Sequence, residues 1–184
     1  MEGNGQQPPD LVELAAVRIT GGIIGEPVSW LVKPETPIKH FVTRIHGLTN
    51  NDVANAPVFA DVRAEVLSVL DADALVAHNA HVDVGVLQRK LEDWECPKVF
   101  DTLKLARCLL PDADSYKLGN LAEAFKLAEG LPEDLTPHRA TYDTLVTARL
   151  FVRLANTTDF CPLSLEELRG APPGGGEHEA PALF

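Results

Sequence analysis

The chain has 184 residues, 45% hydrophobic and 23% charged. That is enough apolar material for one core, with no run near the roughly 18 apolar residues of a membrane span and no cationic, apolar start of the signal-peptide kind. Transmembrane and secreted classes are thereby excluded, and the cytoplasm is the expected compartment. Sixteen Lys and Arg against 27 Asp and Glu give a net charge of −11, which opposes binding of duplex nucleic acid mainly by counterion release and leaves room for contact at one small site. Cys96, Cys108 and Cys161 are far apart and lack a Cys-x-x-Cys spacing, so they are expected as reduced, mostly buried thiols.

In chain order, Leu11 to Ile19 alternates Leu11, Glu13, Ala15, Val17 and Ile19 on one face and predicts a strand. After the Gly21-Gly22 turn, Val28 to Val32 predicts its antiparallel partner, ended by Pro34 and Pro37. The segment Lys33 to His46 carries Lys33, Lys39, Arg44, His40 and His46 against the single acid Glu35. It is the one basic stretch, and its plain reading is a solvated loop. Thr49 is positioned to cap a short helix through Ala54. Pro57 suits the first turn of a longer helix whose Val58, Val62, Val66, Leu67 and Leu70 repeat at helical spacing.

Ala74 to Ala77 predicts a short, fully apolar strand, followed by a helix with Val84, Val86, Leu87 and Leu91. Val99 to Thr102 predicts another strand and Leu103 to Leu110 a helix. Leu118 to Leu127 and Pro137 to Leu154 give two more helices around a loop from Gly130 to Thr136. The order β-β-α-β-α-β-α-α describes an α/β domain with a mixed sheet. From Gly170 onward, four Gly and three Pro in the last 15 residues predict a disordered tail.

Three constellations carry chemistry. MEGNG places Glu2 ahead of two glycines, HNAHVD places Asp83 in the first turns of a helix that follows a short strand, and HRATYD places His138 and Asp143 at the start of the last long helix. Strand ends and helix starts are where an α/β sheet presents its site. Singly, each has a plainer reading: Asp83 and Asp143 as first-turn acids on a helix dipole, His138 as a surface or capping histidine, Asn79 as a helix cap. His40, His46, His78 and His81 keep the surface or capping reading. The three separated acids and His138 gain weight together because they fall at equivalent places in one sheet.

These motifs resemble the DnaQ-like, or DEDDh, 3′-5′ exonucleases, a family with a ribonuclease H-like fold that includes the proofreading subunits of bacterial replicases. Glu2-Gly3-Asn4-Gly5 resembles the first motif, His78 to Asp83 the second, and His138 with Asp143 the His-x-x-x-x-Asp third. Ile45-His46-Gly47-Leu48-Thr49 and Ala56-Pro57 resemble the family's passage from sheet to helix. The likeness covers roughly residues 1 to 155. It implies Glu2, Asp83 and Asp143 as ligands of two Mg²⁺ or Mn²⁺ ions, His138 as general base, and removal of nucleotides from 3′ ends of single-stranded or frayed nucleic acid, DNA ahead of RNA. An inactive binding or interaction module of the same fold and an RNA 3′-end trimmer are the alternatives. The four residues are expected around one metal-sized pocket.

The chain departs from the family at Val82, where an aromatic residue is common, and at Gly3 and Asn4, where threonines stand. The first motif also requires an Asp two positions before Glu2, on a central strand. Residues 1–159 are therefore expected as an N-terminally truncated exonuclease domain, the chain as written starting too late, and this form is expected to be insoluble or inactive. Residues 160–184 are expected as a flexible Gly/Pro-rich tail. Its end, Ala180 to Phe184, resembles the short Leu-Phe peptides by which replication proteins dock on a sliding clamp, so a clamp or polymerase is the expected protein partner.

Overall fold

The computed structural model describes residues 1–156. In chain order its elements are β1 (Glu2–Gly3), β2 (Leu11–Ala16), β3 (Ile19–Thr20), β4 (Ile23–Ile24), β5 (Val28–Leu31), α1 (His40–His46), α2 (Phe59–Leu70), β6 (Ala74–Ala77), α3 (His81–Lys90), β7 (Lys98–Asp101), α4 (Thr102–Leu109), α5 (Leu118–Ala124) and α6 (Ala140–Ala155). The tail from Gly170, the boundary at 159/160, Cys161 and the apolar end Ala180 to Phe184 lie outside the described residues.

β1, β2 and β5 form an antiparallel sheet in that order, while β6 and β7 pair in parallel as a second sheet. The expected hairpin is present with Glu13 opposite Leu31 and Ala16 opposite Val28, but the first strand is shorter than its alternation suggests. It ends at Ala16, and the Gly21-Gly22 turn joins a separate ribbon of β3 and β4, closed by a hydrogen bond from Gly25 N to Arg18 O (2.9 Å). Alternation is also a poor guide to the faces of β2, because Leu11 to Ala15 are all buried.

Two apolar clusters carry most of the packing. Leu11, Leu14 and Val32 meet Phe59, Val62, Val66 and Leu70 of α2 and Val86 and Leu87 of α3. Ala106 of α4, Leu121 and Ala122 of α5, and Val146, Leu150 and Leu154 of α6 form the other. α6 also lies against β2, β5 and β6, and its Phe151 tilts against Phe100 of β7 at 5.6 Å between ring centroids. The apolar spacing of α2 was read correctly except at Val58, which is exposed and precedes the helix.

Three local expectations need correction. The basic stretch is not a solvated loop throughout: it contains α1, with Ile38 and His46 buried, and Gly47 ends the helix at φ 79°, a conformation suited to glycine. Thr49 starts turns rather than a helix, its N–H and hydroxyl both donating to Asp52 Oδ2 at 2.7 Å. The expected strand Ala74 to Ala77 is present with the same bounds and is half-buried. Cys108 is exposed, while Cys96 is partly buried and its thiol is pushed up by burial; both are free.

Among the described residues, β6 has a hydrogen-bonded strand neighbour only in β7, and beyond β1 the segment of β2 from Leu14 to Ala16 pairs only with β5. Between β2 and β6 is a cavity of about 1350 Å³ bordered by Met1, Ala15, Ile19, Ala74, Val76 and Phe151.

Candidate active site

Met1, Asp83, His138 and Asp143, from three segments of the chain, border the same cavity. Glu2 is carried by β1, held opposite Glu13 of β2. The backbone around it is fixed from two sides: Gly3 O accepts from His46 Nε2 (3.3 Å), and buried Asn4 takes Gln6 N and Asp10 N on its Oδ1 while its Nδ2 donates to Thr36 Oγ1 (2.8 Å). His46 Nδ1 accepts Leu48 N–H (3.1 Å), and burial holds this histidine below its ordinary pKa, so the neutral ring is a structural pin. The plain surface reading of His46 fails here.

Asp83 lies in the first turn of α3. Asn79 does not cap this helix: it takes a left-handed conformation (φ 65°), and the N–H groups of Asn79 and Ala80 donate to Asp101 at 3.0 and 3.2 Å. Asp101 also accepts Leu103 N–H (3.0 Å), so one carboxylate at the end of β7 orders the starts of α3 and α4. Sequence reading missed it because its partners ahead of α3, Asn79 and Ala80, are over twenty residues away. His78 is half-buried between Thr102 Oγ1 (2.9 Å) and Tyr116 O (3.0 Å). Donation from Nε2 to that carbonyl leaves Nδ1 to accept from the hydroxyl, and burial lowers its pKa.

Asp143 stands in the first turn of α6. His138 precedes the helix rather than starting it, at φ 63°, with its N–H donating to Asp143 Oδ1 (3.3 Å). Asp83, His138 and Asp143 all border the one cavity with Met1. Glu2 is close enough to the other acids that they act on it: burial first, then Asp143, Glu13 and Asp83, push its carboxyl up to about 7 against the pull of the N-terminal ammonium. Burial likewise raises Asp143.

The ammonium of Met1 is the cation that now faces this group, 3.3 Å from Asp83 Oδ1. Mutually repelling hard oxygen donors that already draw a positive charge are the chemistry a divalent ion requires. As they stand, no three His, Cys, Asp or Glu side chains among the described residues are close enough together to hold an ion. The donor types fit Mg²⁺ or Mn²⁺, while their present spacing does not, and they would have to draw together to hold the ion.

The family model for the RNase_T exonucleases matches residues 1–151. The chain belongs to the RNase_T exonuclease family. Among relatives of this exonuclease domain, exodeoxyribonuclease 10 of Escherichia coli K12 is 35% identical over 164 residues, covering 88% of this chain and 70% of the relative. The 3′-5′ exonuclease DinG of Bacillus subtilis strain 168 is 33% identical over 173 residues, or 91% of this chain. The domain spans only 18% of DinG and 10% of the PolC-type DNA polymerase III of Caldanaerobacter subterraneus. Of solved structures, exonuclease X in complex with 5′ overhanging duplex DNA superposes with a TM-score of 0.71 at 34% identity, covering 88% of this chain and 92% of that one. The DEDDh nuclease domain of 3′hExo, bound to rAMP, has a TM-score of 0.66 at 22% identity over 87% and 88% of the two chains, a likeness of fold. The ribonuclease H-like fold inferred from the motifs is thus the fold of this exonuclease domain. No helix among the described residues is long and apolar enough to cross a membrane.

Proposed function

We propose that this chain is a metal-dependent 3′-5′ exonuclease domain that removes nucleotides from the 3′ ends of single-stranded or frayed DNA. The observation that carries the reading is that Asp83 and the His138–Asp143 pair, from separate segments, border one cavity, with both acids acting on Glu2. When bound, two divalent ions supply the positive charge that clamps the attacking and leaving oxygens of an in-line phosphodiester displacement. Glu2, Asp83 and Asp143 are the residues that would hold them. His138, whose backbone is tied to Asp143, would take the proton from the attacking water. Relatives named for DNA exonuclease activity and a neighbour solved on DNA support DNA as the substrate. A cytoplasmic location and association with a polymerase or clamp are part of the same proposal, the polymerase suggested by the PolC-type relatives.

The test is a 5′-labelled single-stranded DNA incubated with the protein and Mg²⁺, beside a matched RNA and an Asp143→Asn control. A ladder shortening from the 3′ end, abolished by the substitution and by EDTA, is expected. Faster shortening of the RNA would move the protein to RNA trimming. Binding without cleavage of either would favour the inactive module.

A further inference from the structure

Glu13 has no place in the chemistry just described, yet it is one of the few buried charged residues, at 5% exposure, and it sits in the middle of β2 opposite Glu2. Its carboxylate accepts Arg139 Nη2 at 2.6 Å on Oε1 and Arg139 Nε at 3.1 to 3.2 Å on both oxygens, and Ala140 N–H closes the set at 2.8 Å on Oε2. Three donors from two successive residues converge on one buried acid. Those residues are the two that directly follow His138.

The backbone at His138 is left-handed, which for a residue with a side chain is a sparsely populated state that persists only where neighbours enforce it. On one side the loop is tied by Arg139 N to Thr136 O (3.2 Å) and His138 N to Asp143 Oδ1 (3.3 Å). These bonds are local and could move with the loop. The Glu13 contacts are different: they fasten the residue after His138, and the first residue of α6, to the strand beside Glu2, across 126 and 127 positions of sequence. A guanidinium fork fixes both distance and plane, so it defines orientation as well as attachment.

We propose that Glu13 and Arg139 are positioning residues, a clamp anchored on a buried acid that locks the His138 backbone in its left-handed turn and so sets the imidazole against the acids of the site. This rests on the exonuclease reading of the site, for which His138 is the proton acceptor. Arg139 acts through His138 and touches no reacting atom.

Two measurements on the same variants test it. Hydrogen–deuterium exchange on Arg139→Gln should accelerate by about tenfold or more at the amides of residues 136–143, with exchange in α3 and β5 unchanged. In a double-substitution cycle on single-stranded DNA, Arg139→Gln should lower kcat by about 10- to 100-fold with KM within about twofold, and should cost less than about twofold once His138 is already alanine. Arg139→Lys, which keeps the charge and loses the fork, should fall between. Glu13→Gln, a near-isosteric change, should reproduce the local exchange if Arg139→Gln does not fold. Unchanged exchange at 136–143, or an equal loss of kcat in both His138 backgrounds, overturns the clamp. If the unsubstituted protein cleaves no nucleic acid, the exonuclease reading falls while the exchange result still decides whether the clamp exists.

Discussion

Both walls of the cleft border the cavity, but the wall made by β2 and α6 is closed behind by packing, whereas the wall made by β6 stays half-buried and open. Leu11, Val12 and Leu14 of β2 and Val146 and Leu150 of α6 are at most 4% exposed, Thr144 Oγ1 donates to Ala15 O, and the Glu13 fork joins the two elements. Ala74 to Ala77 carries no charge in its sequence but stays half-buried, with β7 its one hydrogen-bonded strand neighbour among the described residues. Burial of a strand is thus set by what lies beside each edge, and composition alone does not specify it. The site straddles the two walls: His138 and Asp143 belong to the closed one, Asp83 to the open one.

The comparison is broken first at the closed wall. His138→Ala and Asp143→Ala should each reduce exonuclease turnover by about 10²- to 10⁴-fold, the usual range for losing a proton acceptor or a charge-stabilising group. Thermal stability should change little, because burial already holds the Asp143 carboxyl above its ordinary pKa and removing it relieves that cost. Turnover within a few-fold of the parent would take that residue out of the mechanism.

The open wall offers the next largest effect. Fusing six β-branched residues ahead of Met1 should fill the space between β2 and β6 and pair with both edges. At about 1 kcal/mol for each ladder bond, the gain approaches 5 kcal/mol, or about 10 to 20 °C in Tm for a chain of this size. It would also move the ammonium away from Asp83. A Gly/Ser fusion of equal length serves as control, and equal Tm values for the two would mean that the cavity does not accept a strand. Smaller again is the contrast between Leu150→Ala, at a site with no exposure, and Leu75→Ala on half-buried β6. The first should cost about 2 to 5 kcal/mol and the second about half as much, measured by urea unfolding. Equal losses would remove the asymmetry.

The closed wall was also the less legible one. Asp83, His138 and Asp143 could be found because each sits in a short motif at a strand end or helix start, where residue type and spacing together carry the signal. Glu13 appeared only as one polar member of an alternating strand, and Arg139 as an unremarked neighbour of His138, since their significance lies in a contact spanning 126 positions. His46 and Asp101 were missed for the same reason: what makes them structural is a set of partners brought in by folding. The helix α1 was hidden behind Pro34 and Pro37, whose breaking signal is stronger than the helical preference of seven residues. By contrast α2 and α6, long and periodic, were legible apart from their first residues.

The smallest expected effect concerns Glu2, which joins the two walls through its repulsion with Asp83 and Asp143. Its carboxyl is raised from 4.5 to about 7 in the folded chain, first by burial and then by the neighbouring acids. Between those pH values the unfolded chain has lost the proton that the folded chain retains, so folding stability falls as pH rises through the window. Asp10 and Glu13 act in the opposite direction at lower pH: their lowered folded values give stability that is present above the ordinary carboxylate range and lost on acidification. Replacing Glu2 by Gln removes the titration without removing the bulk. The Tm of Glu2→Gln should therefore match the parent near pH 4.5 and exceed it increasingly toward pH 7, by about 2 to 4 °C for each kcal/mol relieved. Added Mg²⁺ should shrink the difference at pH 7, because a cation among Glu2, Asp83 and Asp143 favours the ionised form that repulsion and burial now oppose. Parallel Tm curves for the two proteins across this range would mean that Glu2 titrates as an ordinary carboxylate and is not coupled to the acids on either wall.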